Sequence, residues 1–505
     1  MKSVTSTSTQ VPSFEFNAFA AEYLYWKPGP PPVCYVSIDH CKLPVVQSEL
    51  QRAMTNISGL KVEQVSFDTV SRYCQKTKPT DDKAENLQPE VIELFKQAGS
   101  GGASDIHFLV GNDGISTIMR RIHGDLNIIS SKTKEEGMVL LRCMVNSMSD
   151  SGATQFMENQ IQDARIGNKY LRQAGLYAAR YAHIPTELGV YAVVRLIKDE
   201  GNKITSLEEL GFLAQQIMQI RRMLRTPHGF IILSGPTGSG KSTTLRTLAD
   251  MYTRFTRGLK RLLAIEDPPE GKLPGIQIPI KADKGDPNAV FQAWNRTISA
   301  ALRLDPDALI VGEMRDKESV KTAIAGAETG HVLMSTLHAN DAISIISRMV
   351  DTLDVPLPLI TDPQLIVGLI AQRLVPLLCP KCKQTYEDVK DHLEDDELEL
   401  LNTFCDTEKV RFRNHNGCQH CHHGSVGRRV IVEVIRPDAQ FMKLYRTEGK
   451  LAARDYWVNQ MNGITRGMHL QQYLNHGEVD PLEADLISPL DEDKLLTLST
   501  PPTAA

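Results

Sequence analysis

The stretch GPTGSGKS, residues 235–242, has the spacing G-x-x-x-x-G-K-S that can hold phosphate groups. Glycines allow a backbone to wrap closely around phosphate oxygens with its N–H groups pointing inward. An aliphatic run, 230–233, precedes the stretch, and a helical pattern begins near Lys241. The loop therefore lies between a strand and a helix N-terminus, whose partial positive charge favours an anion. The predicted phosphate-binding loop consists of Gly235, Pro236, Thr237, Gly238, Ser239, Gly240, Lys241, Ser242 and Thr243.

Two side chains at the end of this loop add specific chemistry. The Lys241 ammonium is predicted to reach the β- and γ-phosphates of a nucleotide. The Ser242 hydroxyl is predicted to bind Mg²⁺. The loop therefore implies a nucleoside triphosphate and Mg²⁺ as ligands.

A phosphate-binding loop needs an acidic partner at the end of a neighbouring strand, and DPDALIVGEMRD at 305–316 supplies one. Its aliphatic run, 308–311, is a predicted buried strand that ends just before Gly312 and Glu313. Glu313 is predicted to hold Mg²⁺ through a water or to orient the attacking water. The alternative is a carboxylate that only stabilises the N-terminus of the next helix.

A second acidic cluster ends another aliphatic run in LLAIEDPPEG, residues 262–271. Glu266, Asp267 and Glu270 lie on a turn that two prolines stiffen. Three carboxylates at a strand end are more than a turn requires, which indicates a water-activating site beside a nucleotide. A solvated acidic loop is the alternative.

Two histidines flank a predicted strand in AGAETGHVLMSTLHAND, residues 325–341. His331 precedes this strand, 332–337, and His338 follows it. A single histidine is usually structural, but two at the ends of one strand in a nucleotide-binding domain indicate contact with phosphate or with the acidic residues. A structural role for both is the alternative.

The elements that must position these residues form an α/β pattern. Strands and helices alternate over 229–375, which is typical of a parallel sheet, and an α+β region with a strand at 191–197 precedes it. Residues 207–225 repeat apolar residues at helical spacing. The apolar stretch 365–379 is shorter than the roughly 20 residues that span a bilayer. Gln372 and Arg373 also interrupt it, so we predict a buried helix there.

The composition is that of a globular protein with several domains. The chain has 505 residues, 41% hydrophobic and 23% charged, with a net charge of −5, which predicts two to four domains. This charge gives no sign of a chain dominated by nucleic-acid binding. The first residues lack the apolar core of a signal peptide. Nine cysteines are too few for a disulfide scaffold, which favours a reducing compartment.

Two C-x-x-C pairs, Cys379/Cys382 and Cys418/Cys421, stand out in this cysteine-poor chain. Two such pairs form the ligand set of a tetrahedral, structural Zn²⁺ site that can staple a loop-rich segment. A redox couple would need a thioredoxin-like setting, which the surrounding sequence lacks. A chance pairing, a site that has lost its metal, and a site in which a nearby histidine replaces one cysteine are further alternatives. Cys405 is predicted to remain a free thiol.

Four of these elements, in this order, resemble those of the secretion ATPases of type II secretion and type IV pilus systems. GPTGSGKSTTL resembles the family's Walker A motif, AIEDPPE its aspartate box, DPDALIVGEMRD its Walker B motif and AETGHVLMSTLHAND its histidine box. Upstream, ASDIHF (103–108) resembles the opening of the family's PAS-like domain, and RYAHIPTELGVYAVVRL (180–196) resembles its arginine-bearing strands. Downstream, AQRLVPLLCPKC and VGRRVIVEVI are also similar, so the resemblance covers about residues 100–480.

The resemblance implies catalytic roles for four of these residues. Glu270 and Glu313 would be the two catalytic carboxylates. His338, together with His331, would sense or position the γ-phosphate.

The resemblance also implies a role for arginines of the flanking domain. Arg180 and Arg195 match arginines that reach a nucleotide, often that of a neighbouring subunit, and Arg165 is a third candidate. A guanidinium fits this task because it is planar and always charged, and so stabilises spread phosphoryl charge. A plain surface ion pair is the alternative for each of them.

The implied fold is α/β: a RecA-like P-loop NTPase core preceded by an α+β PAS-like domain, with a small tetracysteine insert and a C-terminal helical region. The predicted domains are an N-terminal variable region (1–96), the PAS-like domain with its linker helix (97–225), the RecA-like ATPase domain (226–376), the tetracysteine zinc subdomain (377–435), the helical subdomain (436–490) and a disordered tail (491–505).

The function implied by the resemblance is that of a hexameric ATPase that drives assembly, or extension, of a type IV pilus or a type II secretion pseudopilus. Its partners would be further copies of itself and platform proteins of a bacterial inner membrane. The chain would be cytoplasmic, at the membrane only through these partners, and would not bind nucleic acid directly. In the family, a tetracysteine insert accompanies assembly motors and is usually missing from retraction motors.

Three other functions remain open: a retraction ATPase, a RecA-like motor that translocates nucleic acid, and a ring subunit that uses nucleotide only as a switch. The acidic net charge and the lack of an aromatic and basic stripe argue against the nucleic-acid motor. The sequence departs from the family pattern at Pro-Pro-Glu-Gly in the aspartate box. Together with a poor match to the family's linker around residues 140–166, this departure indicates a divergent branch, such as that of type IVb or conjugative pili.

Overall fold

The computed structural model describes residues 20–496 with gaps. The gaps are 21–22, 28–30, 39, 58, 67–68, 71–86, 154, 200–203, 268, 270, 281–286 and 315–316. The chain forms two compact units, residues 1–87 and residues 88–505. Much of the predicted variable region, 1–96, and residues 497–505 of the predicted tail lie outside the described residues.

The first unit contains a small three-stranded sheet. Its strands are β1 (Leu24–Lys27), β2 (Val33–Ser37) and β3 (Lys61–Val65), and helix α1 (Pro44–Asn56) connects the last two. β1 pairs with β2 antiparallel, whereas β2 and β3 are parallel. The sheet and α1 enclose a core of Ala20, Leu24, Cys34, Val36, Val46 and Leu50. None of the residues predicted to do chemistry belongs to this unit.

The second unit contains two seven-stranded sheets and their helices. Its strands are β4 (Asp105–Gly111), β5 (Ile115–Ile122), β6 (Asp125–Thr133), β7 (Ser149–Gly152), β8 (Gln162–Ile166), β9 (Leu176–Thr186), β10 (Gly189–Lys198), β11 (Gly229–Ser234), β12 (Leu262–Glu266), β13 (Ile276–Pro279), β14 (Ala308–Val311), β15 (Val332–Leu337), β16 (Ile366–Leu378) and β17 (Ser425–Ile435). Its helices are α2 (Gln88–Ser100), α3 (Lys134–Arg142), α4 (Asn168–Leu171), α5 (Leu207–Leu210), α6 (Ala214–Met223), α7 (Lys241–Phe255), α8 (Pro287–Ala301), α9 (Lys317–Glu328), α10 (Ser344–Ser347), α11 (Leu357–Ile360), α12 (Tyr386–Val389), α13 (Asp395–Phe404), α14 (Ala439–Glu448), α15 (Lys450–Asn459), α16 (Arg466–Asn475), α17 (Pro481–Asp485) and α18 (Glu492–Leu495).

The first sheet of this unit is antiparallel throughout, in the order β6-β5-β4-β10-β9-β8-β7. The predicted strand at 191–197 lies within β10. Along β10, Val190, Ala192 and Val194 are buried, while the Arg195 side chain on the other face is 49% exposed. This alternation is typical of a sheet with one solvated face, and it places the predicted arginines on that face.

The second sheet has the order β13-β12-β14-β15-β11-β16-β17, and only its last pair, β16 and β17, is antiparallel. β11, β14 and β15 are completely buried, because helices cover both faces of the sheet. On one face, Phe230 and Ile232 pack with residues of α8 and α9. On the other face, Ile231 and Leu233 pack with residues of α6 and α7. The predicted parallel α/β sheet is therefore confirmed.

One predicted element has the wrong secondary structure. The sequence predicts a buried helix over 365–379, but the structure has strand β16 there, between β11 and β17. A strand that is buried on both faces carries a nearly continuous apolar run, which periodicity does not distinguish from a buried helix. Gln372 and Arg373 project to opposite faces of β16, since successive side chains of a strand alternate.

The tetracysteine segment is the long connection between β16 and β17 and contains α12 and α13. Arg413, which is 7% exposed, joins this segment to two other parts of the unit. Its guanidinium donates to the His423 carbonyl at 2.6 Å, forms an ion pair with Glu483 of α17 at 2.9 Å, and pairs with Asp125 of β6. A buried arginine with these partners holds the segment against both the antiparallel sheet and the C-terminal helices.

The C-terminal helices α14–α17 confirm the predicted helical region. Beyond them, the predicted disordered tail begins at 491, yet α18 is a helix at Glu492–Leu495. Glu492 pairs with Arg466 at 2.5 Å and Asp493 pairs with Arg454 at 2.5 Å. The first residues of the predicted tail are therefore part of the fold.

Within the described parts of the chain, no helix has both the length and the apolar character needed to cross a membrane.

The buried imidazole of His469, in α16, predicts a pH dependence of stability. Its Nδ1 accepts from the Val432 N–H at 3.2 Å, and its Nε2 donates to the Gly211 carbonyl at 3.1 Å. Burial lowers the pKa of His469 to about 4, below the unfolded value of about 6.5. The unfolded chain therefore binds a proton that the folded chain excludes, and stability falls by up to about 3 kcal/mol between pH 6.5 and pH 4.

Urea unfolding at pH 7 and at pH 5 measures this effect. The variant His469→Gln, which cannot titrate, should lose less stability over this interval than the wild type. Equal losses in the two proteins would contradict the assignment.

Candidate functional site

The predicted phosphate-binding loop connects the end of β11 to the start of α7. Gly235, Gly238 and Gly240 have φ angles of +145°, +79° and +86°, a region that L side chains rarely adopt. A Cβ on Gly235 would also lie 2.3 Å from the Gln372 carbonyl oxygen. Only glycine fits this position, because both the backbone conformation and the available space exclude a side chain.

The loop is shaped as an open cradle at the N-terminus of α7. Pro236, Thr237 and Gly238 are exposed, whereas Ser239 beneath them is only 3% exposed. The Lys241 ammonium donates to the Gly235 carbonyl at 2.6 Å and to the Pro236 carbonyl at 3.1 Å, so it lies over the loop. The N-terminus of this fifteen-residue helix adds partial positive charge. The arrangement suits a polyphosphate, with Lys241 and Ser242 at its mouth.

Glu313 and His338 are in direct contact beside this cradle. Glu313 follows β14 and His338 follows β15, and His338 Nε2 lies 3.1 Å from Glu313 Oε1. Both side chains keep access to solvent, at 26% and 46% exposure. Because β11, β14 and β15 are parallel neighbours, their carboxyl ends meet at one edge of the sheet. The structure therefore brings the loop, a carboxylate and an imidazole together.

Hydrogen bonds between β14 and β15 fix the backbone of Glu313. The Thr336 hydroxyl donates to the Gly312 carbonyl at 2.7 Å, and the Met314 N–H donates to the Thr336 carbonyl at 2.9 Å. These bonds hold the residues on both sides of Glu313, so the backbone position of Glu313 is fixed.

The loop after His338 is held from the C-terminal region. Lys450 pairs with Asp341 at 2.6 Å, and Arg466, which is 1% exposed, donates to the Asn340 carbonyl. Burial alone would raise the pKa of Asp341, but Lys450 and hydrogen bonds from Ser344 keep it below its usual value. The orientation of His338 is thus tied to helices that the sequence did not connect with the site.

The acidic cluster at the end of β12 is described in part, since Glu270 lies outside the described residues. Glu266 accepts from the Gln277 amide at 2.8 Å, and the same amide donates to the Gly271 carbonyl at 2.7 Å. A Cβ on Gly271 would lie 2.3 Å from Arg246 of α7. The unusual glycine after Pro-Pro-Glu therefore leaves room for a guanidinium.

The predicted arginines form a row across the antiparallel sheet. Arg165 of β8 lies directly opposite Arg180 of β9, which lies opposite Arg195 of β10. Arg180 donates to the Asp267 carbonyl of the acidic cluster at 3.2 Å, whereas Arg195 pairs with Asp105 at 3.2 Å. Like charges opposite one another destabilise a sheet. Arg180 thus contacts the loop after β12 of the second sheet, whereas the ion pair of Arg195 lies within its own sheet.

His331 is not brought to this site. It precedes β15, and its Nδ1 lies 3.0 Å from the Gly326 carbonyl and 3.1 Å from the Thr329 hydroxyl. His338 follows the same strand, so the two rings lie roughly 20 Å apart at opposite edges of the sheet. Within the described residues His331 is hydrogen-bonded at the end of β15 opposite to His338, and its contact with the γ-phosphate stays a prediction.

The four cysteines of the two C-x-x-C pairs converge on one point. Their sulfurs all lie within 4.8 Å of one another, and three separations are 3.7, 3.7 and 3.6 Å. A tetrahedral ion with bonds of about 2.3 Å separates its sulfurs by about 3.8 Å. The sulfur geometry therefore fits a Zn²⁺–S₄ site and is too wide for disulfide bonds. Among the residues that the structure describes, no histidine belongs to the cluster, and Cys405 lies outside it.

Backbone donors favour a thiolate at Cys421, whereas burial and hydrogen bonds with the neighbouring cysteines raise the pKa of Cys382 to about 12. Burial would raise the pKa of Cys421, but the N–H groups of Cys418 and Gly424 donate to its sulfur and lower the pKa to about 7. Hydrogen bonds to the charged form stabilise it. Thiolates are the form in which cysteines bind zinc.

Sequence reasoning missed one residue that touches the phosphate-binding loop. Gln372 of β16 is completely buried and donates to the Ser239 carbonyl at 2.7 Å. The signal is a polar residue inside an apolar stretch, but the buried helix predicted there gives it no contact with the loop.

The sheet, the loop and the Glu313–His338 pair define the class of a RecA-like P-loop ATPase, and comparison with known proteins specifies the family. A profile described as "Type II/IV secretion system protein" matches residues 80–476. The chain therefore belongs to the type II/IV secretion system protein family and is an ATPase. The predicted family, fold class and enzyme class are confirmed.

Individual relatives agree with this assignment. The type II secretion system ATPase E of Vibrio cholerae serotype O1 is 32% identical over 363 residues, which cover 71% of this chain and 67% of the relative. The type IV pilus assembly ATPase PilB of Thermus thermophilus is 31% identical over 353 residues, which cover 70% of this chain and 37% of the relative. A crystal structure of the pilus retraction motor PilT with bound ADP has a TM-score of 0.52 and 25% identity, covering 80% of this chain and 98% of that chain.

Proposed function

We propose that this ATPase is a ring-forming motor that drives assembly of a type II secretion pseudopilus or a type IV pilus. The observation that carries the proposal is the meeting of the phosphate-binding loop, Glu313 and His338 at one edge of the sheet, with Arg180 of the other sheet against the acidic loop. Family membership and the similarity to a type II secretion ATPase and to PilB indicate that the ATPase acts in pseudopilus or pilus assembly.

In this proposal the loop residues 235–243 hold the phosphates of ATP, and Lys241 leaves the carbonyls of Gly235 and Pro236 to bind them. Ser242 would hold Mg²⁺, which supplies positive charge to the triphosphate when bound. Glu313 orients or deprotonates the attacking water, and His338 holds the Glu313 carboxylate in place. Glu270 is proposed as the second carboxylate.

Arg180 is proposed to couple ATP turnover to movement of one domain against the other. It connects the antiparallel sheet to the loop after β12 through the Asp267 carbonyl. We infer that Arg180 exchanges this carbonyl for phosphate oxygens during the cycle, because phosphate is the stronger acceptor for a guanidinium. Each exchange would move one domain against the other. Arg195 would take part only after leaving Asp105.

The direction of the motor is proposed from the tetracysteine cluster. In the family that the sequence resembles, such an insert accompanies assembly motors, and here the four sulfurs are arranged for Zn²⁺. Retraction is the second candidate, favoured by the similarity to PilT. Deletion of the gene should leave cells without pili if the protein is an assembly motor, and cells with pili that do not retract if it is a retraction motor.

The partners and location follow from the same proposal. We propose a homohexamer on the cytoplasmic side of a bacterial inner membrane, bound there by platform proteins of the secretion or pilus machinery. Direct binding of nucleic acid is not expected, in line with the net charge of −5. Stimulation of ATP turnover by DNA in a salt-sensitive manner would favour the nucleic-acid motor instead.

The proposal is tested by measuring the mass of the purified assembly with and without a non-hydrolysable ATP analogue. A hexamer that forms or is stabilised with the analogue is the expected result, because nucleotide at Arg180 would connect neighbouring domains. The variant Lys241→Ala should lose the effect of the analogue. A monomer under every condition, also in the presence of the platform proteins, would contradict the ring.

A further inference from the structure

Gln372 is a buried amide in direct contact with the phosphate-binding loop. It lies on β16, is 0% exposed, and donates from Nε2 to the Ser239 carbonyl at 2.7 Å. The strand residues before it, Ile370 and Ala371, are also completely buried, so the amide lies in the interior of the sheet. Burial of an amide costs free energy unless its polar groups are paired, so a glutamine at this position indicates a specific contact.

Within the described residues, only the Nε2 group of the amide is paired, so the hydrogen bond that it donates is the contact to explain. The Oε1 atom is buried and accepts no hydrogen bond from any residue in the described part of the chain. An apolar side chain of the same length would avoid this cost to stability. The contact that distinguishes glutamine from such a residue here is the donation to Ser239.

That contact fixes the direction of a peptide group. In a planar trans peptide, the carbonyl of Ser239 and the N–H of Gly240 point in opposite directions. Because Gln372 holds the carbonyl toward the sheet, the Gly240 N–H is turned away from the sheet, toward the open side of the loop. Gly240 has φ +86° and no side chain, so without this bond the peptide has little resistance to rotation.

The loop also packs directly on Gln372. A Cβ on Gly235 would lie 2.3 Å from its carbonyl oxygen, and a Cβ on Gly240 would lie 3.2 Å from its Nε2. The first and last glycines of the loop thus both rest on this one residue. Its side chain and its backbone together form the base of the cradle.

We propose that Gln372 is a positioning residue for ATP hydrolysis that keeps the Ser239–Gly240 peptide turned so that its N–H faces the phosphates and its carbonyl does not. A carbonyl turned into the cradle would repel a phosphate, and a backbone N–H would be lost from it. This inference rests on the proposed nucleotide site and adds the residue that pre-forms it.

The test compares two glutamines that make the same kind of contact. Gln372→Met keeps the length of the side chain but removes the donor. Gln216→Met removes another buried glutamine, whose Nε2 donates to the Val432 carbonyl at the same distance of 2.7 Å, away from the loop, and whose Oε1 accepts from the Leu213 N–H at 2.9 Å. ADP binding is measured by calorimetry with Mg²⁺ present, and the unfolding midpoint of each protein is recorded in parallel.

The dissociation constant for ADP should rise about tenfold in Gln372→Met, the effect of one lost hydrogen bond at a charged ligand. Gln216→Met should lower the unfolding midpoint but bind ADP like the wild type. An unchanged ADP affinity in Gln372→Met, or an equal loss in both variants, would overturn the proposal.

Gln372→Glu provides a second test that does not depend on the folding of the methionine variant. A neutral Glu side chain can donate its O–H to the Ser239 carbonyl, whereas the ionised form repels it. Burial raises the pKa of a carboxyl. ADP affinity relative to the wild type should therefore improve as the pH falls from 8 to 6, and a constant ratio would overturn the proposal. If Lys241→Ala also binds ADP normally, the nucleotide site itself is wrongly assigned, which is a different failure.

Discussion

Replacing Glu313 with Gln is expected to lower the turnover number for ATP by about 10²–10⁴-fold, the usual contribution of a positioned general base. Nucleotide binding should persist, because the phosphate-binding loop and Lys241 are untouched. The amide keeps the size of the side chain but cannot accept a proton from the attacking water. Steady-state phosphate release measures turnover, and calorimetry with ADP measures binding.

The contact between Glu313 and His338 leads to a second prediction for the same site. Their 3.1 Å separation means that each side chain orients the other. His338→Ala should therefore lower turnover as well, and the double variant should lose less than the product of the two single losses. Such non-additivity is the mark of residues that act as a unit.

Two further variants define the limits of this prediction. Lys241→Ala should lose both binding and turnover, since it removes a phosphate ligand. Glu328→Gln removes an exposed carboxylate at the end of α9, near the opposite edge of the sheet, and should leave turnover unchanged. Full turnover in Glu313→Gln would remove Glu313 from the catalytic role and with it the proposed mechanism.

Much of this site could be predicted from the sequence because its chemistry is placed at strand ends. The strands before Gly235, Glu313 and His338 are short, aliphatic and bounded by glycine or polar residues, and the structure has them where they were predicted. In a parallel sheet such ends converge at one edge, so a pattern along the chain becomes a cluster in space. The spacing of the cysteines carries similar information, because each C-x-x-C turn directs two sulfurs to one point.

The features of the site that could not be predicted from the sequence depend on contacts between segments that are distant along the chain. His331 and His338 look equivalent as residues beside a strand, yet only the strand's direction decides which of them reaches the loop. Gln372 was visible, but its role required knowing that β16 is a strand next to β11 rather than a helix. The opposed arginines at 165, 180 and 195 follow from strand register, which depends on the turns and the core face together.

The tetracysteine cluster combines these two kinds of information. Its ligands were predicted from spacing, but its connection to other parts of the chain was not. Arg413 within the segment pairs with Asp125 of the antiparallel sheet and with Glu483 of α17. Loss of the cluster should therefore also weaken the ion pairs of Arg413 with Asp125 and Glu483.

Replacing Cys379 with Ser is expected to abolish binding of about one equivalent of zinc and to unfold the segment between β16 and β17. Binding of a structural zinc ion releases roughly 10 kcal/mol or more in small zinc domains. The loss of one of four thiolates should cost at least about 3 kcal/mol locally. Zinc content measured by mass spectrometry and limited proteolysis at the lysines and arginines of 381–413 report the two effects.

Cys405→Ser is the matched control, because Cys405 is a partly buried thiol of the same segment that lies outside the sulfur cluster. It should keep the zinc and resist the protease. ADP affinity should be unchanged in both variants, since the cluster lies beyond the nucleotide site and supplies no ligand to it. Folded, protease-resistant protein without metal would contradict the zinc assignment. Loss of ADP binding in Cys379→Ser alone would instead show that the segment supports the nucleotide site, through β16 and Gln372.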